Sequence, residues 1–349
     1  MKEVDYIIVG LGIAGLAMAE QLRNEGKRFV VFDTGHNTST LVSGGVFNPV
    51  VLKHFTGTWQ AKEQLELAMP FYKALASKLG ITAVEALPVF RILKNAEEQN
   101  NWTVASDKLE LSPFLSSEIV ANKNPAIDAP FGFGKVTASG RIFPKQLFQA
   151  YGDYLKREAI LFSEAFHYEL LQETATGVQY KDISAGKVIF AEGASVVRNP
   201  FFPKQALIPN KGEYIIIKAP QLQLHVLLKG PMFVIPLGNH LYKVGATYSR
   251  DDSSTDPTEN AKEEIVSKLE QMIHCPFELV DHIAGVRPTT KDRRPILGTP
   301  KEHAHIVFFN GLGTRGILMA PYVSKLLFEH LESNTQLPDE VDIARFTQP

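Results

Sequence analysis

The chain has 349 residues, and its composition, 44% hydrophobic and 21% charged, is that of a globular protein with room for two domains. A net charge of −2 provides no basic footprint, so nucleic acid and anionic membrane surfaces are not electrostatically favoured partners. The single cysteine, Cys275, excludes an intrachain disulfide and is typical of a reducing compartment, so we expect a cytoplasmic protein. Because a strand is predicted to start by Asp5 and no apolar run reaches membrane-spanning length, we expect neither a signal peptide nor a membrane span.

The first elements along the chain alternate between strand and helix. Apolar patterning predicts a strand at 6–9, a helix over about 12–25 and a second strand at 28–32. A longer helix is predicted over about 58–79, where Pro70 is the expected place for a kink. The segment LPVFRILKN indicates a strand, and GRIFPKQLFQAYGDYLKREA indicates a turn that leads into an amphipathic helix.

The middle of the chain has a different pattern. After the short β-branched run KVIFAEGAS come the strand-like segments EYIIIKAP, HVLLKG, MFVIP and LYKVGATYS, which are broken by Pro and Gly and favour an antiparallel sheet. STDPTENAKEEIVSKLEQMI predicts a capped helix, and HIVFFNGLGTRGILMAPYVSKLLFEHL predicts a strand, a glycine loop and a helix. We therefore predict the α/β (α+β) class, with a discontinuous Rossmann-like nucleotide-binding domain and an inserted, mainly antiparallel-sheet domain.

The turn between the first strand and helix carries the glycine pattern of a dinucleotide cradle. Gly10 permits the sharp turn, Gly12 lets the backbone approach a pyrophosphate, and Gly15 allows the helix to pack closely on the strand. The N-terminus of the helix offers unpaired N–H groups to the phosphates. Asp33, at the end of the next strand, is placed to accept hydrogen bonds from the ribose hydroxyls. NAD and FAD both fit this pattern, so the turn alone does not choose between them.

Five further segments carry recognisable patterns. In chain order they are STLVSGGVFNPV (39–50), KVIFAEGAS, YKVGATYS, AGVRPTTKDRRPILGTP (284–300) and FNGLGTRGILMAP. Together they resemble the D-amino-acid oxidase/glycine oxidase/sarcosine oxidase superfamily of FAD-dependent amine oxidoreductases, in the family's order and over nearly the whole chain. In that family the first segment runs under the flavin and the second ends in A-x-G-A on the adenine side. The third segment belongs to the substrate domain, and the fourth is the G-x-R-P…D-x-x-P-I-x-G block.

The resemblance implies FAD as the cofactor. Relatives with covalently bound flavin use a cysteine within the late block, which this chain lacks, so we expect FAD to be non-covalent. The glycine loop before the last helix is expected to turn its amides and the helix dipole toward an electron-rich ring edge. The residues that we expect to contact FAD are Gly10, Gly12, Ile13, Ala14, Gly15, Asp33, Thr34, Ser43, Gly44, Gly45, Asn48, Ala191, Glu192, Gly193, Gly311, Leu312, Gly313, Thr314, Arg315 and Gly316.

The order of these segments also predicts the domains. The FAD-binding domain is expected to comprise 1–80, 140–205 and 281–349. The substrate-binding domain is expected to comprise 81–139 and 206–280.

Two residues are candidates for the chemistry. The family's G-x-R-P arginine binds the substrate carboxylate, so the resemblance assigns this role to Arg287, whose planar guanidinium suits bidentate recognition; a surface arginine is the alternative. Lys243 stands just before the V-G-A-T core, where monomeric sarcosine oxidase has a lysine that helps the reduced flavin react with oxygen; a solvated strand lysine is the alternative. For Tyr214, Tyr248 and Arg141, ordinary strand or turn roles are favoured.

The leading functional interpretation is an FAD-dependent oxidase or dehydrogenase that oxidises a C–N bond of a small amine or amino acid by hydride transfer to flavin. The first alternative is oxidative removal of a carboxymethyl group from a modified tRNA nucleoside, because the glycine-loop tail also resembles the FAD domain of the bifunctional tRNA wobble-uridine modifying enzyme. The expected absence of its methyltransferase domain and of a basic patch argues against that alternative.

A non-catalytic flavoprotein and a nicotinamide-dependent dehydrogenase are further alternatives. We expect no metal, because the pair His303 and His305 lacks supporting cysteines or an acidic cluster at ligand spacing. No G-x-S-x-G elbow or cysteine nucleophile motif is present. The substrate, the electron acceptor and the oligomeric state are left open.

Overall fold

The computed structural model of the chain describes residues 2–35 and 39–346. The helices are α1 Ile13–Asn24, α2 Ser39–Val42, α3 Ala61–Leu79, α4 Ala96–Ser106, α5 Pro144–Arg157, α6 Glu259–Glu270 and α7 Gly316–Ser333. The strands are β1 Lys2–Val9, β2 Phe29–Phe32, β3 Val46–Phe47, β4 Val50–Val51, β5 Thr56–Gly57, β6 Val84–Ala86, β7 Val89–Ile92, β8 Phe133–Val136, β9 Gly140–Ile142, β10 Leu161–Phe162, β11 Leu171–Glu173, β12 Val178–Tyr180, β13 Ile183–Phe190, β14 Ile208–Lys218, β15 Leu227–Lys229, β16 Phe233–Gly238, β17 Leu241–Gly245, β18 Glu278–Thr289, β19 Ile296–Gly298 and β20 Ile306–Asn310.

The largest sheet of the described chain has a parallel core in the order β10–β2–β1–β13–β20, and antiparallel strands flank this core. Val9 is in register with Phe32 on one side and with Phe190 on the other, and Phe190 is in register with Phe308. The carboxyl ends of four parallel strands therefore meet at one edge. Loops that follow parallel strands form the ligand crevice in open α/β sheets, so this register places the functional loops.

Both faces of the parallel core are covered, which explains its apolar strands. Every residue of β2 is buried, as expected of a parallel strand that has helices or loops on both sides. Helices α1, α3, α5 and α7 pack against one face. On the other face lies an aromatic cluster in which Phe32, Tyr180, Phe190 and Phe308 are buried.

A second sheet, in the order β18–β14–β17–β16–β15–β7–β8, contains the strand-like segments predicted for the middle of the chain. Its neighbours are antiparallel except for β15 and β7, which are parallel. Helix α6 packs Ile265 and Leu269 into the apolar core of this sheet. The predicted combination of a parallel α/β part at the chain ends and a mainly antiparallel part between them is confirmed.

Three local expectations differ from the structure. The residues Gly140–Ile142 form strand β9 and not the expected turn, because they are buried between β3 and β6 and pair with both. Helix α4 was not anticipated, since AEEQNNWTVAS has no apolar periodicity; Asn95 caps it by accepting a hydrogen bond from the Glu98 N–H at 2.8 Å. The length of β18 was also missed, because its Gly and Pro residues resemble turn signals.

The division into two domains stays a prediction. Strand β18 pairs with β14 from Glu278 to Thr289, so it crosses the predicted boundary at residue 281. None of the described helices is both long enough and apolar enough to cross a membrane.

Candidate active site

The glycine turn between β1 and α1 has the geometry of a dinucleotide cradle. Gly10 has φ +98°, and a Cβ there would lie 2.6 Å from the carbonyl oxygen of Ala191. A Cβ at Gly15 would lie 1.9 Å from the carbonyl oxygen of Gly10, so only glycine lets α1 approach β1 this closely. A Cβ at Gly12, by contrast, would meet nothing within 4 Å among the described residues. The fold itself thus requires two of the glycines, and the third leaves open space for a ligand.

Asp33 fastens this turn to the end of β2. One of its carboxylate oxygens accepts a hydrogen bond from the N–H of Leu11 at 2.6 Å, and the other accepts one from the N–H of Gly35 at 2.6 Å. Each oxygen has a second lone pair, so the carboxylate can still accept hydrogen bonds from ribose hydroxyls. The ribose contact stays a prediction, and the structure adds a role for Asp33 in shaping the turn.

A cavity of about 1260 Å³ lies along the edge where the parallel strands end, and it extends to the second sheet. The predicted site residues that line it are Gly10, Gly12, Ile13, Ala14, Asp33, Thr34, Ser43, Gly44, Gly45, Asn48, Ala191, Glu192, Gly193, Arg287, Leu312, Gly313, Thr314, Arg315 and Gly316. Gly15, Gly311 and Lys243 are not part of this described lining. Gly15 packs on Gly10, and a Cβ at Gly311 would lie 2.9 Å from a methyl group of Thr290, so both glycines serve the backbone behind the wall.

The loop at 42–45 forms the part of the wall nearest to the second sheet. A Cβ at Gly44 would lie 2.2 Å from Cδ1 of Ile235, so the bare backbone lets this loop press against β16. Lys243 is buried behind the loop, where its Nζ donates hydrogen bonds to the carbonyl oxygens of Val42 and Ser43, each at 3.0 Å. Burial lowers the pKa of Lys243 to about 8. The predicted contact of Lys243 with the oxygen-reacting face of the flavin stays a prediction.

The loop before α7 closes another side of the cavity. Asn310 links it to the loop after β13, because its Nδ2 donates to the carbonyl of Gly193 at 3.0 Å. Helix α7 starts at Gly316, so its free N–H groups and positive dipole end face the cavity. Burial lowers the pKa of Arg315 to about 10, which leaves this cavity-lining guanidinium positive at neutral pH. The positive electrostatic potential from the α7 N-terminus and Arg315 suits an electron-rich ring edge.

Arg287 reaches the cavity from near the carboxyl end of β18. Its Nη1 donates to Oδ1 of Asn210 at 3.1 Å, to the carbonyl of Thr247 at 3.2 Å and to the carbonyl of Lys211 at 3.4 Å. The guanidinium carbon lies 4.7 Å from the centre of the Tyr248 ring. These contacts hold one end of the guanidinium, so its orientation is set by protein groups.

The other end of the Arg287 guanidinium depends on a glycine that the sequence analysis missed. A Cβ at Gly212 would lie 1.9 Å from Nη2 of Arg287, so the fork rests against bare backbone. Among the described residues, none accepts a hydrogen bond from Nη2 or Nε of Arg287. Asn210 and Gly212 lie two residues apart on β14 and thus on one face, a periodicity that could have revealed both residues had the partner strand been known.

One predicted FAD contact, Glu192, is a half-buried carboxylate that is held by protein groups. Glu192 lines the cavity and accepts hydrogen bonds from the Tyr168 hydroxyl at 2.5 Å and from Nδ2 of Asn199 at 2.8 Å. Burial raises the pKa of Glu192 despite these two donors. Each carboxylate oxygen thus accepts one hydrogen bond from a protein group, which fixes the orientation of Glu192 in this part of the wall, and its predicted contact with FAD stays a prediction.

The remaining candidates lie elsewhere. Cys275 is buried in the apolar core beside α6 and does not belong to the described cavity lining, which supports the prediction of non-covalent FAD. His303 lies 2.9 Å from a carboxylate oxygen of Glu173 at the edge of the first sheet. Across residues 2–35 and 39–346, no group of three or more His, Cys, Asp or Glu side chains is arranged to hold a metal ion.

The glycine turn generates a direct test of the cofactor. Gly12→Val adds a side chain that meets open space in the protein but occupies the position of the pyrophosphate, so the variant should fold and purify nearly colourless. Gly152→Val is the control, because a Cβ at Gly152 in α5 also meets nothing within 4 Å of the described structure, and it should stay yellow. Flavin absorbance and circular dichroism of both purified variants measure this; a full complement of flavin in Gly12→Val would show that the cradle assignment is wrong.

Acid precipitation of the wild-type protein tests the form of attachment. A non-covalent flavin should leave the yellow colour in the supernatant, because denaturation destroys every contact that holds it. Colour that stays with the pellet would mean a covalent link.

Comparison with known proteins supports the same cofactor. A family model described as FAD dependent oxidoreductase (DAO) matches residues 5–330. The chain is 26% identical to glycine oxidase of Bacillus subtilis (strain 168), over 93% of this chain and 92% of that protein. It is 22% identical to the tRNA 5-methylaminomethyl-2-thiouridine biosynthesis bifunctional protein of Idiomarina loihiensis, over 93% of this chain but only 55% of that protein.

Solved structures have the same fold over nearly the full length. Glycine oxidase from Geobacillus kaustophilus superposes with a TM-score of 0.76 at 20% identity, covering 99% of this chain and 98% of that chain. Iminodiacetate oxidase from Chelativorans sp. BNC1 superposes with a TM-score of 0.77 at 17% identity, covering 98% of each chain. The predicted family, fold class, FAD cofactor and enzyme class are thereby confirmed: the chain belongs to the DAO family of FAD-dependent oxidoreductases.

Proposed function

We propose that the protein oxidises the C–N bond of a small amino acid or N-substituted glycine, as an FAD-dependent oxidase or dehydrogenase. The observation that carries this proposal is the position of Arg287. Its guanidinium lines the same cavity as the glycine cradle, and its Nη2 and Nε lack hydrogen-bond acceptors among the described residues. A planar fork with a free edge is suited to bind a carboxylate in two-point fashion.

The residues around the cavity provide orientation and field. FAD, when bound, accepts the hydride that leaves the carbon next to the nitrogen. Arg287 holds the carboxylate of the substrate, and Asn210, Thr247 and Lys211 prevent the guanidinium from turning away. The positive N-terminus of α7 and Arg315 line the same cavity, where they stabilise negative charge that develops during the transfer. An uncharged amine that is held in this way needs no strong acid or base from the protein.

The relatives support this substrate class. Two of them are named as oxidases of glycine and of iminodiacetate, and another neighbour is an L-proline dehydrogenase with a TM-score of 0.74. All three named substrates combine a carboxylate with an amine nitrogen. This shared chemistry agrees with the accessible guanidinium of Arg287.

Two alternatives and the cellular setting remain proposals. The tRNA-modifying relative favours oxidation of a modified nucleoside, but the chain covers 55% of that protein and has a net charge of −2. A non-catalytic flavoprotein is excluded if any amine reduces the bound flavin. We propose a cytoplasmic location on the basis of the lone, buried Cys275 and no nucleic-acid partner on the basis of charge.

Lys243 generates a prediction for the oxidative half-reaction. If the positive charge of Lys243, which lies behind the loop at 42–43, promotes the reaction of reduced flavin with oxygen, Lys243→Met should slow reoxidation of the reduced enzyme. Reduction of the flavin by substrate should be much less affected. In the wild type, reoxidation should slow as the pH rises through about 8, because the Lys243 ammonium loses its proton there. Stopped-flow traces of both half-reactions measure this. Equal reoxidation rates in both proteins would restrict Lys243 to its hydrogen bonds with the loop.

Gly212 generates a prediction for binding. Gly212→Ala should push the end of the Arg287 fork aside, because the new methyl group would lie 1.9 Å from Nη2. We expect the KM for the amino acid to rise about tenfold to hundredfold, the scale of one lost hydrogen bond to a charged group, about 1.5–3 kcal/mol. Flavin content should stay at the wild-type level, and steady-state kinetics measure the KM. An unchanged KM would mean that Gly212 does not set the position of the fork.

Arg287 itself gives the strictest test of the substrate class. Arg287→Ala leaves a carboxylate unpaired in a partly dry pocket, which costs roughly 2–5 kcal/mol, or about thirtyfold to several thousandfold in kcat/KM. Arg287→Lys keeps the charge but loses the fork, so it should mainly weaken binding. A decarboxylated analogue should be a poor substrate for the wild type, and Arg287→Ala should lower its kcat/KM far less. Kinetics of both compounds on both enzymes form a double-mutant cycle, and equal impairment would show that Arg287 does not bind the carboxylate.

A further inference from the structure

The segment at 249–258, between β17 and α6, forms the outer wall of the substrate end of the cavity. Four of its residues, Ser253, Ser254, Thr255 and Asp256, line the cavity together with Tyr248. The segment has little regular structure and is mostly exposed to solvent. Its position must therefore come from contacts with the sheet beneath it.

Lys211 of β14 provides those contacts. The residue is 0% exposed, and its Nζ donates hydrogen bonds to Oδ2 of Asp252 at 2.5 Å, to Oγ of Ser254 at 3.1 Å and to the carbonyl oxygen of Asp256. Three points of the segment thus converge on one ammonium group. The interaction with Lys211 lowers the pKa of Asp252 to about 2, so this carboxylate stays charged over the range in which enzymes are assayed.

Glu213, two residues further along β14, holds the far end of the segment. Its carboxylate accepts hydrogen bonds from the N–H and the hydroxyl of Thr258, at 2.8 and 2.9 Å, immediately before α6. The same carboxylate lies 3.5 Å from Nζ of Lys211, which partly offsets the cost of burying the ammonium. Lys211 and Glu213 are therefore a buried ion pair, and both side chains also make hydrogen bonds to the segment 249–258.

The same strand position also determines where Arg287 points. The carbonyl of Lys211 accepts a hydrogen bond from Arg287 Nη1, and the N–H and carbonyl of Lys211 pair with Ser249 at 2.8 and 3.0 Å. The ring of Tyr248, the residue just before Ser249, lies under the guanidinium at 4.7 Å. A shift of the segment would therefore move Tyr248, the stacking partner of Arg287, relative to the guanidinium.

We propose that Lys211 is a positioning residue for substrate binding: it clamps the segment 249–258 onto the sheet and thereby keeps Tyr248 and Arg287 in the geometry that binds a carboxylate. This inference rests on the proposed function of Arg287. It assigns to a lysine that touches neither substrate nor cofactor the role of setting carboxylate affinity.

The test compares Lys211→Met and Lys211→Arg with Lys218→Met, which changes an exposed lysine on the same strand. Asp252→Asn is included because it weakens the clamp from the exposed side without altering the buried pair, so it remains informative if Lys211→Met does not fold. Amide hydrogen exchange of holoenzyme peptides that cover 249–258 reports the clamp. Affinity for acetate, a carboxylate that cannot react, reports the binding geometry through the flavin absorbance of the oxidised holoenzyme.

In Lys211→Met and Asp252→Asn we expect faster amide exchange that is confined to 249–258. Acetate affinity should fall about tenfold and the substrate KM should rise about tenfold, whereas kcat should stay within about twofold of wild type. Lys211→Arg should recover most of the affinity, and Lys218→Met should match the wild type. Unchanged exchange, or a released segment with unchanged acetate affinity, would overturn the proposal. If no amino acid reduces the flavin, the proposed function fails, but exchange and acetate binding still decide the role of Lys211.

Discussion

The contact between Gly15 and the carbonyl of Gly10 is the constraint on which the site depends. A Cβ at Gly15 would lie 1.9 Å from that oxygen, so α1 can pack on β1 at this distance only with glycine there. This close packing brings the N-terminus of α1 to the edge where β1, β2, β13 and β20 end in register. Any separation of helix and strand would move the free N–H groups away from the phosphates that they are suited to bind.

The second sheet contributes a cation of fixed orientation to the cavity, the guanidinium of Arg287. Arg287 is held by groups from β14 and from the segment after β17, so its orientation depends on the pairing of β14 with β18 and with β17. Glycine residues again permit the close approach, since Gly212 leaves room for the guanidinium and Gly44 lets the loop at 42–45 press on Ile235. The cavity is thus an interface between two sheets, and glycine backbone sets its width on both sides.

The parts of this arrangement that depend on local sequence could be predicted. The strand, turn and helix at the N-terminus, the acidic residue at the end of β2 and the glycine loop before α7 all depend on short-range patterns, and most of the residues predicted for FAD line one cavity. The partners of Arg287 could not be predicted, because Asn210 and Thr247 are 77 and 40 residues away in the chain. Burial of Lys211 was hidden for the same reason: a lysine in a strand is usually solvated, and its three acceptors come from a segment that looks like an ordinary polar loop. Strand β9 was mistaken for a turn because it becomes a strand only through its two neighbours, which lie 54 or more residues before it in the chain.

The central claim is that one cavity binds both the flavin and the carboxylate group of an amine substrate. Anaerobic addition of glycine, N-substituted glycines, D- and L-amino acids and their decarboxylated counterparts to the yellow holoenzyme tests it most directly, with flavin absorbance as the signal. The account predicts bleaching by at least one compound that carries both groups and little or none by its decarboxylated counterpart. Equal bleaching by the matching simple amine, or no bleaching by any carboxylate-bearing amine, would contradict it.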